Sequence, residues 1–193
     1  MAKRVYFCFH YQDVIDFRAN VVRNHWVTKD REAAGFFDAS LWEEAARKEK
    51  SALKRLINSG LENTTATCVL IGSSTYARPW VRYEIFKSLK RGNKVFGVHV
   101  NGIPDKHGQT KNLGPNPFLS LGVTYDSRGS SLTMWEVKSG QWLQYTEIDG
   151  TSVVQTTEVA QAMWNKGFNL AHFYPSYLWN RDDGYKNFAS WVG

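Results

Sequence analysis

The sequence has little of several features that mark common protein classes. Only two of its 193 residues are cysteines, and no stretch approaches the roughly 20 apolar residues needed to cross a bilayer. Cys8 and Cys68 both lie in apolar runs typical of buried strands, so a disulfide framework is not expected. The opening "MAKRVYFCFHYQD" lacks the long apolar stretch of a signal peptide. These features predict a cytoplasmic protein with reduced thiols and no membrane partner.

The sequence also lacks the motifs of several familiar chemistries. There is no GxGxxG after the first predicted strand and no GxxxxGK[ST], which excludes the common dinucleotide and triphosphate cradles. The five histidines show no HxxxH or paired Cys/His spacing, so no metal site is predicted. A GxSxG nucleophile elbow is absent as well. We therefore expect no metal and no bound cofactor.

The net charge of +6 is unevenly distributed along the chain. Residues 1–100 contain 17 Lys and Arg against 10 Asp and Glu, whereas residues 101–193 contain seven against eight. The first half could attract an anionic ligand. Its basic residues alternate with acids, as in "RKEKSALKR" (47–55), which is typical of a solvated helix face. A nucleic-acid partner is therefore not expected.

Apolar strand-like runs alternate with helical patterns through the first hundred residues. The predicted strands are 4–10, 33–40, 65–73 and 93–100, and the predicted helices are 13–26, 41–61 and 80–92. Asp38 or Ser40 could cap the second helix. This alternation predicts an open α/β sheet with parallel strands. In such sheets, ligands bind beyond the carboxyl ends of the strands.

The second half of the chain has a different character. It begins with a loop-like stretch rich in Gly and Pro, and "SLTMWEVKSGQWLQYTEI" predicts a hairpin around Ser139 and Gly140. Of the 28 aromatic residues, 14 lie after residue 100, which is too apolar for a disordered linker. We predict a core of residues 1–102 and an aromatic-rich C-terminal extension of residues 103–193 that packs on it.

Trp80 and Glu84 form an unusual pair within "SSTYARPWVRYEIFKSL" (73–89). Four residues apart on a helix, they share one face about a turn apart, directly after a buried strand. They could border a ligand site at the strand ends. Alternatively, Trp80 belongs to the core and Glu84 pairs with Lys87 or Arg91 on the surface.

Three stretches together resemble the Toll/interleukin-1 receptor (TIR) domain family. They are "RVYFCFHYQD", "DASLWEEAARKEKSALKRLI" and "CVLIGSSTYARPWVRYEI", which contains the Trp-x-x-x-Glu pattern. The likeness covers about residues 3–100 and implies a flavodoxin-like fold with helices on both faces of the sheet. The "FHYQDVIDFRANVVRNHWV" opening, the "GPNPF" loop and the "DDGYKNFASWV" ending resemble the TIR-like proteins of the bacterial Thoeris antiphage defence system.

The resemblance implies an activity and assigns roles to residues. Enzymatic TIR domains cleave NAD at the nicotinamide–ribose bond, and Glu84 matches their catalytic glutamate. Phe9, His10 and Tyr11 match the loop that lines the NAD pocket. Trp80 could stack on an aromatic base or on the nicotinamide ring. Asp38 could orient a ribose or simply cap a helix.

The Thoeris likeness further implies a product and partners. It implies that NAD is a substrate rather than a cofactor, that nicotinamide is released, and that a cyclic ADP-ribose-type nucleotide activates an NAD-consuming effector protein. The alternative is a non-catalytic TIR module that acts through self-association. Retention of Trp80 and Glu84 favours the enzyme.

Overall fold

A five-stranded parallel sheet forms the centre of the protein. The computed structural model describes residues 4–27, 33–34, 50–156 and 159–193. The strands of this sheet are β1 (Val5–Cys8), β2 (Ala33–Ala34), β3 (Ala66–Ile71), β4 (Lys94–His99) and β10 (Ser176–Leu178). They run in the order β10-β4-β3-β1-β2, and every neighbouring pair is parallel. This is the order of a flavodoxin-like sheet, so the predicted fold class is confirmed.

Helices cover both faces of this sheet. They are α1 (Tyr11–Ile15), α2 (Arg18–Val27), α3 (Lys50–Leu61), α4 (Pro79–Arg91) and α5 (Gly184–Val192). Residues of α3 and α4 share one buried cluster with Tyr6 and Cys8 of β1. Residues of α2 and α5 share the other cluster with Val5 and Phe7. The two clusters follow from the alternation of side chains along a strand.

The first helical segment differs from the prediction. Instead of one helix over 13–26, α1 ends at Ile15 and α2 begins at Arg18. Phe17 lies between them with φ of 64°, a left-handed conformation that interrupts a right-handed helix. The predicted strand 33–40 is described only at 33–34, and the predicted helix 41–61 only from residue 50. The proposed caps Asp38 and Ser40 lie outside the described residues.

Helix α4 has clear boundaries that come from its sequence. Pro79 occupies the first turn, where its fixed φ suits a helix and its missing N–H costs little. The helix ends at Gly92, whose φ of 75° is left-handed. The N–H of Gly92 donates to Leu89 O, and that of Asn93 donates to Ser88 O, which closes the last turn. Trp80 therefore lies in the first turn, near the carboxyl end of β3.

Residues after the parallel core form a second, antiparallel sheet. Its strands are β5 (Leu121–Tyr125), β6 (Ser131–Lys138), β7 (Gln141–Gln144), β8 (Val153–Gln155) and β9 (Gly167–Asn169). The predicted hairpin is confirmed between β6 and β7, with positive φ at both Ser139 and Gly140. The ring of Tyr145, just after β7, lies 4.6 Å from that of Phe86 on α4. The second sheet thus packs over the outer side of α4.

The C-terminus returns to the parallel sheet. Strand β10 pairs with β4, and Phe188 of α5 stacks 6.1 Å from Phe7 of β1. Trp179 and Trp191 belong to the same buried cluster. The division of the chain at residue 102 remains a prediction. None of the helices in the described ranges is long and apolar enough to cross a membrane.

Candidate active site around Glu84

Glu84 lies in the second turn of α4 with its side chain directed at strand β1. Only 4% of the residue is exposed. The hydroxyl of Tyr6 donates to its Oε1 at 2.6 Å, and the thiol of Cys8 donates to its Oε2 at 2.9 Å. The alternative surface pairing with Lys87 or Arg91 is therefore wrong. A carboxylate with a defined donor on each oxygen has a fixed orientation.

Tyr6 and Cys8 were not identified from the sequence as site residues. They lie two apart on β1, so they share one face of the sheet, and that face looks at α4. The signal was present in the alternation of polar-tipped and purely apolar side chains in "VYFC". This alternation was hard to recognise because all four residues are buried, so the strand does not have one exposed and one buried side.

Burial governs the ionisation of this cluster. It raises the pKa of Glu84 to about 7, while the hydrogen bonds from Cys8 and Tyr6 act in the opposite direction. Burial also raises the pKa of Tyr6 and of Cys8 well above their usual values, and the nearby Glu84 charge adds to this effect. Tyr6 and Cys8 therefore remain protonated donors, and Glu84 exchanges its proton near neutral pH.

Trp80 lies one turn before Glu84 and faces a different space. Its half-buried ring meets that of Tyr83 edge-on at 6.2 Å. Together they line a cavity of about 240 Å³ to which Glu84 does not contribute. The structure places the ring and the carboxylate on adjacent turns, with the ring toward the second sheet and the carboxylate toward β1.

The residues predicted to line a pocket at the end of β1 lie in varied surroundings. Phe9 packs against the cluster on the sheet face opposite to Glu84. His10 is half-buried, and its pKa is lowered by burial first and then by Arg78 and Lys111, so it is neutral at pH 7. Tyr11, the first residue of α1, is 39% exposed. Asp38 lies outside the described residues.

Asp13 is a second buried carboxyl group near the strand ends that sequence reasoning missed. The hydroxyl of Thr75 donates to it at 3.4 Å and accepts from the N–H of Gly72. A Cβ at Gly72 would lie 2.2 Å from Asp13 Oδ1, so only glycine leaves room for this carboxyl. Burial raises its pKa to about 6, against the opposing effects of Lys111 and Thr75. Asp13 thus contacts the turn that leads from β3 toward α4.

The sheet order and the helix that carries Glu84 after β3 are those expected of a TIR-like protein. The family model described as "Thoeris protein ThsB, TIR-like domain" matches residues 6–105. The chain belongs to this family, and the resemblance predicted from the sequence is confirmed. A protein of Bacillus cereus (strain MSX-D12) named "Putative cyclic ADP-D-ribose synthase ThsB1" is 54% identical over 193 residues, which are 100% of each chain.

Proposed function

We propose that this chain cleaves NAD at the nicotinamide–ribose bond and closes the remaining ADP-ribosyl group into a cyclic ADP-ribose-type nucleotide. The observation that carries the proposal is the buried Glu84 carboxylate. Hydrogen bonds from Tyr6 and Cys8 orient it, and its pKa is about 7. The full-length similarity to a relative named as a cyclic ADP-D-ribose synthase supports it.

The first step breaks the bond between the ribose C1′ and the nicotinamide nitrogen. The bonding electron pair leaves with nicotinamide, and the ribose becomes an oxocarbenium-like cation. Glu84 supplies a preoriented negative charge for that cation, as carboxylates do in glycoside cleavage. A carboxylate offers about four lone-pair positions, so Tyr6 and Cys8 leave positions for ribose hydroxyls.

The second step decides between a ring and a linear product. A hydroxyl oxygen of the same molecule attacks C1′ and loses its proton, which gives the ring; attack by water gives linear ADP-ribose. Well-oriented intramolecular attack has effective molarities of roughly 10⁵ M or more, so the ring forms if water is excluded. With a pKa near 7, Glu84 can accept the released proton.

The remaining site residues have roles in positioning the substrate. In this proposal Trp80 stacks on a base or on the nicotinamide ring. Phe9, His10 and Tyr11 line a pocket at the end of β1, with Phe9 anchored by its packing on the sheet face opposite to Glu84. Asp38 either orients a ribose or caps a helix. Only 4% of Glu84 is exposed. Substrate reaches the carboxylate after a local opening of its surroundings.

The product would act on a partner rather than on this chain. The Thoeris likeness supports an NAD-consuming effector protein that is reached through the nucleotide, and self-association of this chain is a further part of the proposal. Cys8 and Cys68 are both free and buried thiols. They support the cytoplasm as the compartment of the reaction.

The first prediction concerns the product. The purified protein incubated with NAD should release nicotinamide together with a cyclic ADP-ribose-type nucleotide, which mass spectrometry distinguishes from linear ADP-ribose because it is lighter by one water. Glu84→Gln protein under the same conditions serves as the control for background hydrolysis. Linear ADP-ribose as the sole product of an active enzyme would contradict ring closure.

The second prediction concerns the pH dependence set by Tyr6. A hydrogen bond to a charged group contributes about 1.5–3 kcal/mol. Tyr6→Phe should therefore raise the pKa of Glu84 by about one or two pH units. If ionised Glu84 is the active form, the rate falls as pH drops through this pKa. The variant should therefore lose about fivefold or more of its activity at pH 7 and recover it near pH 9.

The pH–rate profile of nicotinamide release checks this expectation. Tyr185→Phe removes the same hydroxyl from an exposed tyrosine on α5 and should leave the profile unchanged. Superimposable profiles for Tyr6→Phe and the unmodified chain would show that Tyr6 does not act on the ionisation of Glu84.

A further inference from the structure

A cavity of about 240 Å³ lies between the outer side of α4, the first turns of α3 and the second sheet. Glu84 is not part of its wall, because its carboxylate is directed at Tyr6 and Cys8 of β1. The wall is formed by Lys50, Lys54, Pro79, Trp80, Arg82, Tyr83, Glu136, Lys138, Tyr145 and Glu147.

The charged residues of this wall form two ion-pair groups, each with one carboxylate and two cations. Glu147 pairs with Lys50 at 2.6 Å and with Lys54 at 3.0 Å. Glu136, which is only 3% exposed, pairs with Arg82 at 2.7 Å and with Lys138 at 2.5 Å. Within the described residues, four cations therefore share two carboxylates. The wall carries a surplus of two positive charges.

The guanidinium of Arg82 has a hydrogen-bond donor that Glu136 does not engage. Its Nη1 binds Glu136, but its buried Nε has no hydrogen-bond partner within the described part of the chain. A buried donor without a partner costs about 1–3 kcal/mol, so a further acceptor near this guanidinium would be stabilising. Lys138 and Lys50 are more than half exposed and can turn toward a ligand without leaving a buried charge.

The rest of the wall is aromatic. The rings of Trp80 and Tyr83 meet edge-on, Lys54 lies 5.3 Å from the centre of the Tyr83 ring, and Tyr145 lies opposite. Flat apolar surfaces next to surplus positive charge suit a ligand with a sugar or base attached to phosphate. The volume is below the roughly 300 Å³ of typical small-molecule pockets, so it suits part of a nucleotide.

We propose that this cavity binds the phosphate groups of a nucleotide. Lys50, Lys138 and Arg82 contact the phosphate oxygens, and Trp80 covers the attached sugar or base. Two sources share this chemistry: the diphosphate of NAD, reaching around Trp80 from the site of Glu84, or a separate nucleotide that binds while NAD is bound. The first source rests on the proposed function, and the second does not.

The test is the binding of ADP and pyrophosphate to the full chain by titration calorimetry. Neither probe contains nicotinamide, so neither is consumed. The double variant Lys50→Gln/Lys138→Gln removes the surplus charge, yet leaves the Lys54–Glu147 and Arg82–Glu136 pairs in place. It should weaken binding of both probes by about tenfold or more.

Two further variants separate binding from structural effects. Lys166→Gln/Lys186→Gln makes the same change in net charge at two exposed lysines outside the cavity and should leave the affinities unchanged. Glu147→Gln adds to the surplus positive charge and should strengthen binding, an effect opposite to that expected from damage to the fold. Equal affinities for the two double variants, or no binding of either probe at millimolar concentration, would overturn the proposal.

Kinetics with NAD distinguish the two sources. If the cavity holds the diphosphate of NAD, Lys50→Gln/Lys138→Gln raises KM and ADP competes with NAD. If it holds a separate nucleotide, ADP binds equally well in the presence of saturating NAD. Both outcomes support a phosphate site.

Absence of nicotinamide release with normal ADP binding would refute the proposed function alone. Normal release with no ADP or pyrophosphate binding would refute the phosphate site alone.

Discussion

Glu84→Gln should lower nicotinamide release by about 10²-fold or more while leaving the chain folded, because it removes the charge that stabilises the ribose cation. The amide has nearly the same shape, and it can still accept from Tyr6 and offer a donor toward Cys8. The measurement is nicotinamide release at saturating NAD, with circular dichroism to verify folding. Glu62→Gln makes the same chemical change at an exposed residue before β3 and should retain full activity.

The same substitution should stabilise the chain at alkaline pH. Glu84 has a pKa of about 7 when folded, against about 4.3 in an unfolded chain. The folded state thus binds the proton more tightly, so stability is highest below the unfolded pKa and falls as pH rises through 7. This loss amounts to about 3 kcal/mol at pH 8, and Glu84→Gln avoids it.

Thermal melts at two pH values check this corollary. The Tm of Glu84→Gln should exceed that of the unmodified chain at pH 8, and the difference should shrink at pH 5. A folded variant with near-normal nicotinamide release would refute the catalytic role of Glu84. A Tm difference that does not change with pH would show that its carboxyl is not buried as described.

The sequence was sufficient to predict an open parallel sheet and the positions of β1, β3 and β4, because these strands are short apolar runs that alternate with helical patterns. The fifth strand, β10, was not predicted. The pattern also predicted that Trp80 and Glu84 share a helix. It did not predict that they face different spaces, since side-chain direction depends on what packs against each turn. Glu84 meets β1, about 78 residues earlier in the chain, whereas Trp80 meets the second sheet.

Buried polar contacts between distant residues were the other features that the sequence did not indicate. Arg18 is fully buried, and its guanidinium donates to the carbonyls of Ile103 and Gln109 and pairs with Asp16 and Asp105. An arginine in an amphipathic pattern is normally solvated, and only the folded loop supplies these carbonyls. The partners of these contacts are 85 and 91 residues apart in the chain, so no local sequence pattern indicates them.

Contacts of the C-terminal residues with the parallel sheet indicate what their removal would do. Trp179 is fully buried beside β4, and its ring lies 5.8 Å from that of Phe188. Trp191 stacks on Tyr177 of β10 at 4.2 Å. A Cβ at Gly184 would lie 2.3 Å from the Trp179 ring, so this glycine allows α5 to start directly against it. These contacts close one face of the sheet.

Truncation after residue 102 should therefore produce a fragment that aggregates. It removes β10 from the edge of the sheet and uncovers Phe7 and Phe96, which pack against Phe188. Burial of one large apolar side chain contributes about 1.5–3 kcal/mol, so loss of four or five such residues approaches the 5–15 kcal/mol by which a domain is stable. The newly exposed edge strand and apolar face favour association.

Solubility and size-exclusion chromatography of the 1–102 fragment provide the measurement. Phe188→Ala in the full chain tests the same packing with a smaller change. That variant should lose about 3–5 kcal/mol of unfolding free energy, because it leaves a cavity between α2, α5 and the sheet. Tyr185→Ala, on the exposed side of α5, should cost much less. A soluble, monomeric 1–102 fragment that releases nicotinamide at the full rate would show that the C-terminal residues are not needed to complete the core.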